Sequence, residues 1–159
     1  HERQRGVFSQ LLMIGAAQGV IRKFDGRIGH KTRPEKLRRL IVGDRIQLQQ
    51  VILNLVVNGI DAMRDTPSQN RIISIRTSRV ENFAQLSVAD RGSGIPEDKI
   101  NQVFEPFFTS KAEGMGMGLS IARTIIEAHN GAISAKNRDQ GGASFRIKLP
   151  LCTEGAGSA

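Results

Sequence analysis

Three groups of residues in this 159-residue chain have types and spacings that suit chemistry. Asn54, Asn58 and Asp61 stand at i, i+4 and i+7 in an otherwise oily stretch, Asp44 to Met63 (DRIQLQQVILNLVVNGIDAM). On a helix that spacing places all three on one narrow stripe. Amides and a carboxylate on a buried helix cost free energy unless their hydrogen-bonding capacity is met. A solvated edge, a satisfied polar network or a bound ligand would each meet it. Asp90 closes the run Phe83 to Asp90 (FAQLSVAD) in phase with Ala84, Leu86 and Val88, which puts its carboxylate on the core-facing side of a strand end. Gly92 and Gly94 follow at once and permit close backbone approach or positive φ. Taken alone, Asp-x-Gly-x-Gly is also an ordinary strand-to-helix turn. Gly114, Gly116 and Gly118 alternate into Leu119-Ser120 ahead of an apolar helix. Backbone N–H groups there are free to face an anion, helped by the helix dipole, although a plain flexible loop reads the same way.

The elements that must hold these groups follow from periodicity. Leu48, Ile52, Leu55, Gly59 and Met63 recur at helical steps, and Val51, Val56, Val57 and Ile60 widen the stripe, so the helix is largely buried. Asp44 is its N-cap, with Gln47 in capping-box spacing. Upstream, Phe8 to Ala17 predicts a helix, Val20 to Phe24 a short strand and Asp25-Gly26 a turn; Arg27 to Lys36 reads as a polar, basic loop. Downstream come a loop over Asp65 to Asn70, a strand over Arg71 to Ser78, a turn at Glu81-Asn82 and the strand that ends at Asp90. Pro96 and Glu97 open a short helix to about Phe104. Phe104, Phe107 and Phe108 then form a hydrophobic plug beneath a loop, Thr109 to Met117. The next helix runs to Asn130 on a stripe of Leu119, Ala122, Ile125, Ile126 and His129, with Gly131 as its C′ glycine. A hairpin of Ala132 to Asn137 and Ala143 to Leu149 points Phe145, Ile147 and Leu149 inward. Residues 151–159 are small and polar and predict a frayed tail.

Length suits one domain with a real core, and no apolar run could span a bilayer. One cysteine, Cys152, gives neither a disulfide framework nor a zinc cluster, so a reducing cytoplasmic setting is the simplest reading. The formal charge of +8 could suggest nucleic acid, yet residues 1–45 hold 11 Lys/Arg against 4 Asp/Glu and the rest of the chain only 12 against 11. With no Trp or Tyr to stack bases, a solvated basic face or a surface for an acidic partner fits better, and no nucleic-acid partner is expected.

Singly these signals are ambiguous, but their order is not. Asn54-x-x-x-Asn58, Asp90-x-Gly92-x-Gly94, Phe104-x-x-Phe107-Phe108 and Gly114-x-Gly116-x-Gly118 resemble the N, G1, F and G2 boxes of sensor histidine kinases. The match covers roughly residues 44–150, and its wording (NGIDAM, FEPFFTSK, GMGMGLS, IIEAHNG) is most similar to kinases of the nitrogen-fixation and oxygen-sensing type. The resemblance implies an α+β fold, a two-layer α/β sandwich: a mixed, mostly antiparallel sheet covered on one face by about three helices, as in gyrase B, the heat-shock ATPase chaperones and MutL. It implies a single ATP-binding domain over residues 1–150, with the lid at about 109–117. Asp90 would accept from the adenine amine, with Gly92 and Gly94 letting the backbone close beside the base and Ala62 and Ile95 lining the slot. Asn58 would hold Mg²⁺ through its amide oxygen, and Asn54 would contribute to the metal or its waters; these two are the candidate catalytic residues. Asp61, Phe107, Thr109, Met115, Met117 and Leu119 complete the ATP contacts. Gly114, Gly116 and Gly118 would cradle the phosphates as the lid closes, and Lys111 or Arg64 would add positive charge near the γ-phosphate.

Two departures bear on mechanism. Hydrolase cousins usually carry a Glu as general base four residues before the metal-binding Asn. Here that position is Asn54, which favours phosphoryl transfer over hydrolysis and predicts a feeble intrinsic ATPase. Many histidine kinases carry Lys or His three residues after the metal-binding Asn; here it is Asp61. Of the three histidines, His1 is terminal, His30 is in the basic stretch and His129 lies on the apolar side of a helix end. The resemblance therefore implies a monomeric catalytic domain whose γ-phosphoryl acceptor is a histidine on upstream dimerisation helices absent from this sequence. A response regulator receiver would lie further along. Alternatives are an ATP hydrolase of the chaperone or MutL kind, and a nucleotide-sensing interaction module.

Overall fold

The computed structural model describes residues 24–32, 41, 43–108 and 117–152. Its strands are β1 (Arg27–Thr32), β2 (Ile72–Val80), β3 (Phe83–Ala89), β4 (Ala132–Asn137) and β5 (Ala143–Pro150), in sheet order β1-β2-β3-β5-β4. β1 runs parallel to β2, and every other pairing is antiparallel. Helices α1 (Arg45–Ala62) and α2 (Gly118–Ala128) pack on one face of that sheet. The mixed, mostly antiparallel α+β sandwich is therefore present, with two α-helices among the described residues. The helix expected over Phe8 to Ala17 lies outside them, as does the strand from Val20, of which Phe24 alone is described.

Alternation decides which face of each strand is covered. Ile73 and Ile75 of β2, Ala84, Leu86 and Val88 of β3, and Phe145, Ile147 and Leu149 of β5 are all buried, while their neighbours in sequence are not. They meet Leu48, Val51, Ile52, Leu55 and Val56 of α1 and Ala122 and Ile126 of α2 in one core. Cutting Leu55, which is wholly buried, to Ala would cost about 2–5 kcal/mol in such a setting. The core-facing phase of β3 carries on one residue past the strand, to Asp90, which is 1% exposed.

Four local expectations need correction. Arg27 to Lys36 is not all loop: Arg27–Thr32 is edge strand β1, in register from Arg27↔Ile72 to Thr32↔Thr77. An edge strand pairs on one side only, so it tolerates a polar sequence with no apolar alternation. The short helix after Pro96 is a 3₁₀ helix, Glu97–Gln102, which stops short of Phe104. At the end of α2 the left-handed residue is Asn130 (φ 59), not Gly131. The N–H of Asn130 donates to the Glu127 carbonyl and that of Gly131 to Ile126, closing the helix. Gly131 is needed for space instead, because a Cβ there would lie 2.4 Å from the Lys148 carbonyl oxygen. Finally, the tail does not begin at 151. Leu151 is buried and its N–H donates to the Asn82 carbonyl at 2.8 Å.

Candidate functional site

The oily helix and the strand-tip acid meet. A cleft of about 650 Å³ lies where the polar stripe of α1 meets the loop after β3, lined by Asn54, Asn58, Asp61 and Ala62 of the helix and by Asp90, Gly94 and Ile95. Val103, Phe108 and Phe145 add an apolar floor, and Met117, Gly118 and Leu119 at the start of α2 close one end. Phe104 braces the floor edge-on against Phe145, ring centroids 6.1 Å apart.

Asp90 is held rigidly. Its Oδ1 accepts from the Gly92 N–H at 2.8 Å and the Ala143 N–H at 3.2 Å, and no described residue donates to Oδ2. Burial pushes the carboxyl above its ordinary value, against the lowering influence of those two N–H donors and of Arg138. Such a group is primed to accept one more hydrogen bond from whatever enters the cleft. The loop beyond it is clamped onto α1: a Cβ at Gly92 would come within 2.3 Å of the Ala62 carbonyl oxygen, and the Arg91 N–H meets the Met63 sulfur at 3.3 Å. Gly92 is thus required by the helix beside it, while Gly94 is required by its φ of +77°.

The two asparagines differ. Asn54 accepts from Gln50 Nε2 at 2.7 Å and donates from Nδ2 to the Gly118 carbonyl at 3.0 Å, tying α1 to the first residue of α2. Asn58 lines the cleft with no hydrogen-bond partner among the described residues. The first turn of α2 has no side-chain cap among the described residues, and Met117, Gly118 and Leu119 bring the positive end of the helix dipole to the cleft.

A family model described as "Histidine kinase-, DNA gyrase B-, and HSP90-like ATPase" matches residues 43–153. This chain belongs to that ATPase family. Among curated relatives it is 42% identical to the sensor protein FixL of Bradyrhizobium diazoefficiens over 72% of its own length and 23% of that protein's. It is 44% identical to the sensor histidine kinase TmoS of Ectopseudomonas mendocina over 70% of this chain and 12% of TmoS. The chain spans about a quarter or less of the relatives it matches. Among solved structures, the nucleotide-free catalytic domain of histidine kinase ThkA superposes with a TM-score of 0.78 at 32% identity, covering 94% of this chain and 96% of that one. ThkA in complex with response regulator protein TrrA superposes with a TM-score of 0.74 at 31% identity, over 94% of this chain and 42% of that one. The domain is therefore of the histidine kinase catalytic type, and the nucleotide its family implies is ATP.

In this ATPase-family domain ten of the sequence-picked residues line one cleft. Asn54, Asn58, Asp61, Ala62, Asp90, Gly94, Ile95, Met117, Gly118 and Leu119 all border the cleft. Gly92 stands behind that wall. Phe107 does not join it: it is 72% exposed with φ 64°, and Phe108 takes the cleft position. Thr109, Lys111, Gly114, Met115 and Gly116 lie outside the described residues, as do all but the last residue of the lid. Arg64 and Lys99 both border the cleft, the former 3.9 Å from Asp61. Sequence reasoning missed Lys99, and it missed Gln50, Asn137 and Arg138, which grip the site from behind. A helical i, i+4 step linked Gln50 to Asn54, but nothing in the sequence pointed from the hairpin to the Asp90 loop.

The donor set suits a metal held mainly by phosphates and water. Among the described residues no group of three His, Cys, Asp or Glu could cage an ion, and Asn58 alone of the two asparagines presents an amide oxygen not already bonded. Asn54 is a strut between helices in this arrangement. No helix among the described residues is long and apolar enough to cross a membrane.

Proposed function

We propose that this domain binds Mg-ATP and passes the γ-phosphoryl group to a histidine on a separate helical dimerisation domain, as the kinase step of a two-component system in the cytoplasm. The observation that carries the reading is Asp90: a nearly inaccessible carboxyl group with one oxygen satisfied by backbone and the other without a donor among the described residues, in a cleft that Asn58 also lines. Adenine presents an exocyclic amine where guanine presents a carbonyl, so such an acceptor reads one base and repels the other.

Each side chain has a separate task. Asp90 fixes the base, and Ile95 with Ala62 walls its faces. The first turn of α2 meets the phosphates, and Arg64 and Lys99 also border the cleft. Asn58 holds the magnesium ion, which screens phosphate charge when bound. Asn54 has no basic lone pair and its amide is already used between α1 and α2, so no residue at that position takes a proton from water. That supports transfer to an incoming imidazole over hydrolysis. The response regulator named in the ThkA complex suggests the same onward route for this chain.

Two measurements test the proposal. Titration with ATP, with and without Mg²⁺, should show Asp90→Asn losing base recognition and Asn58→Ala losing metal dependence. Mixing the domain with its phosphoacceptor helices and γ-labelled ATP should yield acid-labile phosphohistidine on the helices; its absence would refute the kinase assignment.

A further inference from the structure

The hairpin joining β4 to β5 reaches across to the nucleotide site. The side-chain amide of Asn137 bonds both main-chain groups of one residue. Oδ1 accepts from the Ile95 N–H at 2.7 Å, and Nδ2 donates to the Ile95 carbonyl at 2.6 Å. Next to it, Arg138 Nη1 donates to the Asp90 carbonyl at 2.7 Å, and the Asp90 N–H donates to the Ala143 carbonyl at 3.0 Å. A Cβ at Gly142 would lie 2.2 Å from the Asp90 carbonyl oxygen, so the turn is seated directly on the acid. Both walls of the base slot, Ile95 and Asp90, are therefore referenced to one rigid turn more than 40 residues downstream. Residues 91–96 have no regular structure of their own and depend on that reference.

We propose that Asn137 is a positioning residue for base selection: its pair of hydrogen bonds to Ile95 sets the gap between the Ile95 wall and Asp90. That gap decides whether a bound purine's 6-amino group lies within hydrogen-bond reach of the carboxylate. The inference rests on the ATP reading above and goes beyond it by naming a residue that never touches the base.

The test compares ATP with inosine triphosphate, which lacks the 6-amino group, by equilibrium binding to the purified domain. Wild type should prefer ATP, Asn137→Ala should lose about tenfold of that preference, and Asn137→Ser should lose less in the same direction. Equal weakening of both nucleotides, with the preference unchanged, would mean a merely structural role and overturn the proposal. A second measurement needs no variant: amide exchange at Ile95 in the nucleotide-free wild type should be slowed relative to that at Ser93, despite the irregular loop. Unprotected exchange there would overturn the clamp itself. If wild type binds ATP and inosine triphosphate equally, the adenine reading of Asp90 fails and takes this inference with it. If wild type prefers ATP but Asn137→Ala keeps that preference, only the role of Asn137 fails.

Discussion

Asp44 and His129, 85 positions apart in the chain, are joined by a hydrogen bond of 2.9 Å from the backbone N–H of the first to Nε2 of the second. Nε2 is thereby an acceptor, so Nδ1 carries the proton and donates to the Ile125 carbonyl at 2.7 Å. One ring thereby satisfies an orphan N–H at the start of α1 and adds a second donor to the Ile125 carbonyl, which the His129 backbone N–H already meets at 3.2 Å. Asp44 does cap α1, accepting from the Gln47 N–H at 3.0 Å, but the reciprocal half of the capping box comes from His129 instead of the Gln47 side chain. His129→Phe keeps the ring and deletes both bonds. We expect a loss of about 1–3 kcal/mol in urea unfolding. With both nitrogens engaged, His129 should also take up no phosphate from labelled ATP.

Asp90 makes a prediction of opposite sign for stability and binding. Its folded-state carboxyl titrates above its ordinary value because burial disfavours the charge. A group shifted upward contributes stability that is fully present below its unfolded pKa and is lost as pH rises through the folded one. Between acid and neutral pH that contribution declines, because burial makes ionisation harder in the fold than in the unfolded chain. Asp90→Asn keeps an oxygen for the Gly92 and Ala143 donors and removes the charge. Its urea midpoint at pH 7 should equal or exceed that of wild type, with the advantage shrinking toward about pH 4. ATP affinity should fall at least about tenfold in the same protein. A less stable Asp90→Asn at pH 7 would contradict the assignment of burial as the dominant influence.

What the sequence disclosed, and what it hid, divides along local and non-local lines. Helix α1, its cap and the inward phase of β3 through Asp90 were legible because period and capping chemistry are properties of neighbouring residues. So was the choice of Asn58 and Asp90 as a facing pair, through the order of the boxes. Strand β1 was not, since an edge strand of Arg, Gly, His and Lys carries no alternation and exists by pairing with β2. Asn130 outcompeted Gly131 for the left-handed position because the Lys148 carbonyl decides where a glycine is needed. The Asn137 clamp was invisible for the same reason: 42 residues separate it from Ile95. Phe107 was chosen by its box and is turned outward by its own backbone, φ 64°.

Glycines separate tight contact from empty space and so predict graded costs. Gly142 has φ +85° and would place a Cβ 2.2 Å from the Asp90 carbonyl oxygen. Gly142→Ala should cost about 2–4 kcal/mol and weaken ATP binding, because the acid must move. Gly29 in β1 has nothing within 4 Å of a Cβ, so Gly29→Ala should stay within about 0.5 kcal/mol of wild type. Urea melts of the two variants beside wild type decide it, and equal costs would mean that the turn is not seated on Asp90.

Asn54 and Asn58 lie one turn apart yet should fail differently. Asn58 faces the cleft with its amide unbonded among the described residues, so Asn58→Ala should bind ATP in EDTA much as wild type does and gain little from Mg²⁺. Asn54 instead joins Gln50 to the Gly118 carbonyl. Asn54→Ala should keep its response to Mg²⁺ while loosening the start of α2, seen as faster amide exchange at residues 118–121 and about five- to tenfold weaker binding of ATP. Gln50→Ala should reproduce that pattern more mildly, because it frees the Asn54 oxygen to rotate away without removing the donor to Gly118. If Asn54→Ala and Asn58→Ala instead lose Mg²⁺ dependence alike, Asn54 abandons Gln50 when nucleotide arrives, and both asparagines serve the metal.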